Sequence, residues 1–278
     1  MLPLWNTHDD SEKLKGSADR QGVSISKPFK RPISEERIVM KKGKDCLIFP
    51  LDLPGSEEAL KYVSLLKNEV GLFKVGLELF ISEGPAILDK IRDKGGEKIF
   101  LDLKLHDIPA TVKRAFMSAS RHKPEFVTVH CDQGEGFLST VAENNAGPTR
   151  ILAITLLTSL SSDHLHRLGY DQKYMDRLSE LVLLKARMAK EAGCHGVVCS
   201  GQEVAMVKQA LGPGFVVVTP GIRPEWSLVE KDDQKRIVTP EKAIGNGADY
   251  IVVGRPIRDA KDPAEAAARI SEEIDAAL

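Results

Sequence analysis

The chain is short of everything that marks a protein for a membrane, a nucleic acid or an oxidising compartment. It has no apolar run near the roughly 20 residues a membrane-spanning helix needs. Neither sign of charge dominates: 39 basic and 40 acidic residues leave a formal net charge of -1, too little field to hold a polyanion as the main partner. Cysteine is scarce. Cys46, Cys131, Cys194 and Cys199 show no paired metal-type spacing, and two of them stand in strand-like apolar runs, so reduced thiols in the cytoplasm are expected. The opening Met1-Leu2-Pro3-Leu4-Trp5 soon turns polar, unlike a secretory signal. A dinucleotide fingerprint is missing too, because the turn after the first strand reads Asp52-Leu53-Pro54-Gly55. His164-Leu165-His166 lacks a third ligand nearby, which predicts a solvated loop there and no zinc site.

What is present is ordinary in bulk and specific in detail. With 278 residues, 42% hydrophobic and 28% charged, the chain can bury a substantial core. Residues 1 to 44 have little hydrophobic period, as in Asp9-Asp10-Ser11-Glu12-Lys13, and read as an N-terminal extension with Trp5, Ile38 and Val39 as anchors. Residues 45 to 278 read as a single α/β domain. Short apolar runs at 46–52, 71–76, 98–104, 126–130, 151–157, 196–199, 215–219 and 249–253 alternate with amphipathic stretches. Those stretches include Glu57 to Lys67, Pro85 to Lys94, Ala110 to His122, Met175 to Ala192 and Pro263 to Ala277. Eight strands joined this way predict a (β/α)8 TIM barrel, with a doubly wound open sheet as the competing arrangement.

Chemistry gathers at the C-terminal ends of the predicted strands, the face where such barrels build sites. The centre is Phe100-Leu101-Asp102-Leu103-Lys104-Leu105-His106-Asp107-Ile108-Pro109. Strand alternation puts Asp102 and Lys104 on the face of Phe100, and charged groups on an apolar strand call for a polar cleft. Asp107 and Pro109 suit a helix start. Asp52 and Lys74 stand at the ends of two earlier strands. Thr219-Pro220-Gly221-Ile222-Arg223 and Gly254-Arg255 follow strands 7 and 8, where glycine amides and an arginine fork suit a phosphate. Between them, Glu225 to Pro240 has the length and polarity of a functional lid. Thr158-Ser159 suits hydrogen bonds to a planar polar ligand, although such residues also form turns. His130 is placed either toward the site or in a core hydrogen bond, and His106 as a support of the turn before Asp107.

Together these residues resemble the orotidine 5'-phosphate decarboxylase family. The resemblance is carried by Leu51-Asp52, Phe73-Lys74-Val75-Gly76, Asp102 through Val112, Leu157-Thr158-Ser159, Val218 through Arg223, Asp232-Asp233-Gln234-Lys235-Arg236 and Gly254-Arg255, across about residues 46 to 275. It implies decarboxylation of orotidine 5'-phosphate to UMP in pyrimidine synthesis, without metal or cofactor, by a homodimer in which Asp107 and Thr111 enter the neighbouring subunit's site. It also implies an alternating network of Lys74, Asp102, Lys104 and Asp107. Asp52 and Lys74 would hold ribose, Thr158 or Ser159 the pyrimidine, and Gln234, Arg255 and the backbone near Gly221 and Gly254 the phosphate. The flanking carboxylates favour a charged Lys104, placed to stabilise and protonate a carbanion at C6, while Asp102 either repels the departing carboxylate or orients Lys104. A metal-dependent sister, such as a keto-gulonate phosphate decarboxylase or a hexulose-phosphate synthase, shares the Asp-x-Lys-x-x-Asp strand but carries a carboxylate where Lys74 stands, and a lysine repels Mg2+. A non-catalytic nucleotide-phosphate binding barrel would have no need of the charge pair.

Overall fold

The computed structural model describes residues 42–227 and 237–278. After a single turn, α1 (Gly43–Cys46), eight parallel strands alternate with helices: β1 (Leu47–Pro50), α2 (Ser56–Leu66), β2 (Leu72–Val75), α3 (Leu77–Glu83), α4 (Ala86–Asp93), β3 (Ile99–Leu105), α5 (Pro109–Ser120), β4 (Phe126–His130) and α6 (Glu135–Glu143). The second half continues with β5 (Arg150–Ile154), α7 (Ser162–Arg167), α8 (Leu178–Glu191), β6 (Gly196–Val198), α9 (Val204–Leu211), β7 (Val216–Thr219), α10 (Pro240–Gly245), β8 (Tyr250–Val252), α11 (Arg255–Arg258) and α12 (Pro263–Asp275). Each strand pairs with its sequence neighbours, and β8 returns to β1, so the sheet closes into a barrel and the open-sheet alternative falls.

Strand parity builds two cores. Ile48, Leu72, Phe100, Phe126, Leu152, Val218 and Val252 point inward and fill the barrel floor, with Phe100 edge-on to Phe126 at 5.8 Å. The intervening residues, among them Phe49, Phe73, Leu101, Val127, Ala153, Val197 and Val217, point outward to the apolar faces of the helices. One step above the floor the inward positions become Lys74, Asp102 and Thr128, all buried. The barrel is therefore greasy at its base and charged near its mouth.

Helix ends follow local chemistry. Pro109 and Pro263 open α5 and α12 at positions whose amides need no helical partner, and Asp262 accepts from the amides of Ala264 and Glu265. Ser161 caps α7, so His164 and His166 sit on a helical turn where a solvated loop was expected. The expected strand 151–157 stops at Ile154, which leaves Leu156, Leu157 and Thr158 beyond the sheet to line the mouth. The expected loop from Glu225 to Pro240 has ordered ends: a 3-10 turn at Glu225–Ser227 and a bridge between Ile222 and Val238. Asp232 to Arg236, Gln234 among them, and the anchors Trp5, Ile38 and Val39 lie outside the described residues.

Candidate active site

A cavity of about 480 Å³ opens at the C-terminal end of the barrel. Its floor is apolar, formed by Phe100, Ile154, Val198 and Val252, and its walls carry Asp52, Lys74, Asp102, Lys104, Thr158, Arg223 and Arg255. A volume of several hundred Å³ is the normal size for a small-molecule site.

Charges alternate along one wall. Lys74 Nζ donates to Asp52 Oδ1 at 2.8 Å and stands 3.6 Å from Asp102 Oδ2. Lys104 Nζ donates to the same Asp102 Oδ2 at 2.7 Å. The other carboxylate oxygen, Asp102 Oδ1, accepts from the hydroxyl of Thr128 at 2.9 Å. Burial alone would raise the Asp102 carboxyl; the charges of Lys74 and Lys104 and the hydrogen bonds from Lys104 and Thr128 outweigh it and hold the group below the usual aspartate value. Gly76 keeps this wall open, because a Cβ there would lie 3.0 Å from Asp52 Oδ1 and 3.2 Å from Lys74 Nζ.

Lys104 reaches the cavity by a route that simple alternation does not describe. The β3–β4 ladder pairs Leu101 with Val127 and then Leu105 with Val129, so the register breaks between them. Within the break Lys104 takes φ 49°, a left-handed conformation that costs a non-glycine residue about 1–2 kcal/mol. Such strain persists only where surrounding contacts enforce it, and it concentrates at functional sites. Lys104 ends on the same side as Phe100 and Asp102, as alternation predicts, but through a bulge.

The phosphate-type loops line the same cavity, the one after β8 lying beside β1. Pro220, Gly221 and Arg223 after β7, and Gly254 and Arg255 after β8, all line the cavity. Gly221 has φ 75°, where a side chain is disfavoured, and a Cβ at Gly254 would press on Pro50 at 3.0 Å. Arg258, one turn beyond Arg255, also borders the cavity and pairs with Asp259; it was not singled out from the sequence, although it shares the Gly-Arg-Pro-Ile-Arg run.

Three expected residues stay outside this cavity. Ser159 is exposed while its neighbour Thr158 lines the wall, because the chain has already left the sheet. Asp107 is exposed beyond the end of β3, where its own carboxylate accepts the Ile108 amide at 2.6 Å and its carbonyl accepts from Gln133 Nε2. Thr111, on α5, also lies away from the lining. Within one chain, the network is therefore Asp52, Lys74, Asp102 and Lys104. Neither His130 nor His106 lines the cavity; their rings stack at 5.0 Å, and His130 Nδ1 pairs with Asp132 at 3.0 Å. Among the described residues no group of three or more His, Cys, Asp or Glu side chains is arranged to hold a metal ion. Thr128 was missed, since its only signal is a lone hydroxyl in the apolar run Phe126 to Val129.

The model for the orotidine 5'-phosphate decarboxylase / HUMPS family matches residues 45–270, which include all eight strands and every residue lining the cavity. The chain belongs to that family. A relative from Desulfosudis oleivorans, named orotidine 5'-phosphate decarboxylase, is 50% identical over 246 residues, 88% of this chain and 99% of that one. Another of that name, from Pelobacter propionicus, is 43% identical over 233 residues, 82% of this chain and 94% of its own. Among solved structures, the orotidine 5'-phosphate decarboxylase of Lactobacillus acidophilus superposes with a TM-score of 0.71 at 35% identity, covering 82% of this chain and 98% of its own. The cavity lies at the face where (β/α)8 barrels build their sites, and its two lysines and two aspartates form one continuous chain of charge.

Proposed function

We propose that the protein decarboxylates orotidine 5'-phosphate to UMP without metal or cofactor, with Lys104 as the proton donor to C6. The observation that carries this reading is the run Asp52, Lys74, Asp102 and Lys104 lining one cavity together with two glycine-arginine loops. The loops suit a ribosyl phosphate, and the charged run suits a reaction that develops negative charge on carbon. In the step itself the C6–carboxylate bond breaks, its electron pair stays on C6, CO2 departs, and a Lys104 ammonium proton is delivered to C6. No covalent electron sink is required of the protein, because a fixed cation beside the carbon stabilises the charge as it forms. Asp102, holding Lys104 through Oδ2, aims that cation.

The remaining roles are those the family resemblance implies. Asp52 and Lys74 meet the ribose hydroxyls, and Thr158, which lines the cavity, meets the pyrimidine. Arg255, Arg223, Gln234 and the backbone around Pro220, Gly221 and Gly254 take the phosphate. A lysine at position 74 weighs against the Mg2+-dependent sister reaction, because its ammonium group occupies the space between two carboxylates. Asp107 and Thr111 serve a neighbouring copy of the chain in a homodimer. Support comes from the exposed apolar side chains near the ends of β2 and β3: Leu77, Ile81 and Ile108 are 48%, 77% and 64% exposed. Four buried cysteines suit the reducing cytoplasm, and among the described residues no helix is long and apolar enough to cross a membrane.

The test follows the ultraviolet absorbance of orotidine 5'-phosphate with purified protein in excess EDTA. Wild type should consume it, and Lys104→Ala should be slower by at least about a thousandfold. No consumption without metal, with turnover of a sugar phosphate appearing on addition of Mg2+, would overturn the reading.

A further inference from the structure

Thr128 is the inward residue of β4 one step above Phe126, fully buried and outside the cavity lining. Its single hydroxyl serves two groups of the neighbouring strand: Oγ1 donates to Asp102 Oδ1 at 2.9 Å and accepts from the Lys104 amide at 2.8 Å. The polarity of both bonds is forced. An ionised carboxylate only accepts and a backbone amide only donates, so the hydroxyl hydrogen goes to Asp102 and a lone pair to Lys104. These two bonds fall in the break of the β3–β4 register, where the ladder between Leu101 and Leu105 is interrupted and Lys104 takes its left-handed conformation.

We infer that Thr128 is a positioning residue: one hydroxyl fixes the carboxylate that aims Lys104 and, at the same time, the backbone from which Lys104 projects. The inference rests on the decarboxylase reading above, since it assigns Thr128 to the proton-delivering lysine of that reaction. Without the hydroxyl, Asp102 loses its neutral hydrogen-bond donor, and the bulge loses the acceptor that pins its amide. The ammonium is then free to drift, and displacements of an ångström at a reacting centre cost large factors in rate. The phosphate loops make no contact with Thr128, and Lys74 keeps its stronger bond to Asp52 at 2.8 Å, so binding should change less than turnover.

The experiment compares Thr128→Val, which keeps the branched shape without the hydroxyl, with Thr128→Ser, which keeps the hydroxyl without the methyl. Thr128→Val should lower kcat by about 10- to 100-fold with KM for orotidine 5'-phosphate changed less than about threefold. Thr128→Ser should recover kcat to within about threefold of wild type. Exchange of the Lys104 amide with solvent should be at least about tenfold faster in the valine variant than in wild type or serine. Thr128→Ala serves as a second hydroxyl-free variant if the valine branch does not fit beside Asp102. An active wild type with kcat unchanged in the folded hydroxyl-free variants, or with serine as slow as valine, sinks the Thr128 role alone. A wild type that leaves orotidine 5'-phosphate untouched sinks the decarboxylase reading and this role with it.

Discussion

Lys185 carries an ammonium group with almost no access to water. The residue is 5% exposed on α8; its Nζ donates to Asp132 Oδ1 and to the Tyr170 hydroxyl, 3.3 Å away. Asp132 is the wetter partner, with 31% of its side chain exposed and His130 Nδ1 at 3.0 Å. Removing either side is therefore not equivalent. Asp132→Asn strands a buried cation and should cost about 3–5 kcal/mol, whereas Lys185→Met leaves a carboxylate that water and His130 still reach and should cost about 1–2 kcal/mol. Urea unfolding of the two variants checks the order, and a costlier Lys185→Met would refute the desolvation argument. The pH dependence has a definite sign. Burial raises the Asp132 carboxyl, but hydrogen bonds from His130 and Lys185 and the Lys185 charge outweigh it and leave the group below its ordinary value. Its contribution is fully present above the ordinary aspartate value of about 4 and is lost as pH falls through the lowered one, so the gap between wild type and Asp132→Asn should narrow in acid. Elsewhere burial sets thiol chemistry: it pushes Cys194 up to about 12, which keeps that sulfur protonated and inert.

At the scale of elements, the barrel floor is packed backbone to backbone. Gly196 in β6 pairs with Leu152 and Val216, and a Cβ on it would fall 2.2 Å from the Val216 carbonyl oxygen and 2.6 Å from the Val216 Cβ. Both belong to the neighbouring strand of a closed ladder, so neither can yield without parting β6 from β7. Gly196→Ala should cost about 1–3 kcal/mol or more and lower the thermal midpoint by about 3–10 °C. An unchanged midpoint in a scanning melt would mean that the floor has slack. The eight strands and the five helices given bounds were read from sequence to within three residues, since strand and helix periods are local properties of the chain, while α7 was read as a loop. The β3 bulge was not legible, because it depends on a threonine 24 residues away in another strand.

For the whole molecule, the question is where Asp107 acts. Its exposure beyond the cavity in its own chain fits service to a second copy, and that placement has a test independent of any single site. Lys104→Ala and Asp107→Ala chains, each inactive as homodimers, should regain activity when refolded together. Half the dimers are mixed and each mixed dimer has one intact site, so recovery should reach about a quarter of wild-type turnover. Activity no greater than the sum of the separate variants would place Asp107 in its own chain.

The sequence by itself determined the strand count, the barrel class and the chemical character of the strand ends, because apolar periodicity and the order of residues along a strand are written in covalent succession. It placed Asp52, Lys74, Asp102, Lys104, Arg223 and Arg255 at one face, and the barrel brings them to one cavity. Tertiary structure alone decided that Asp102 is shared by two lysines and a threonine, that Lys104 is held in a strained bulge, and that Asp107, Thr111 and Ser159 lie away from the cavity. Those are meetings between strands, set by register and barrel closure, and no local period encodes them.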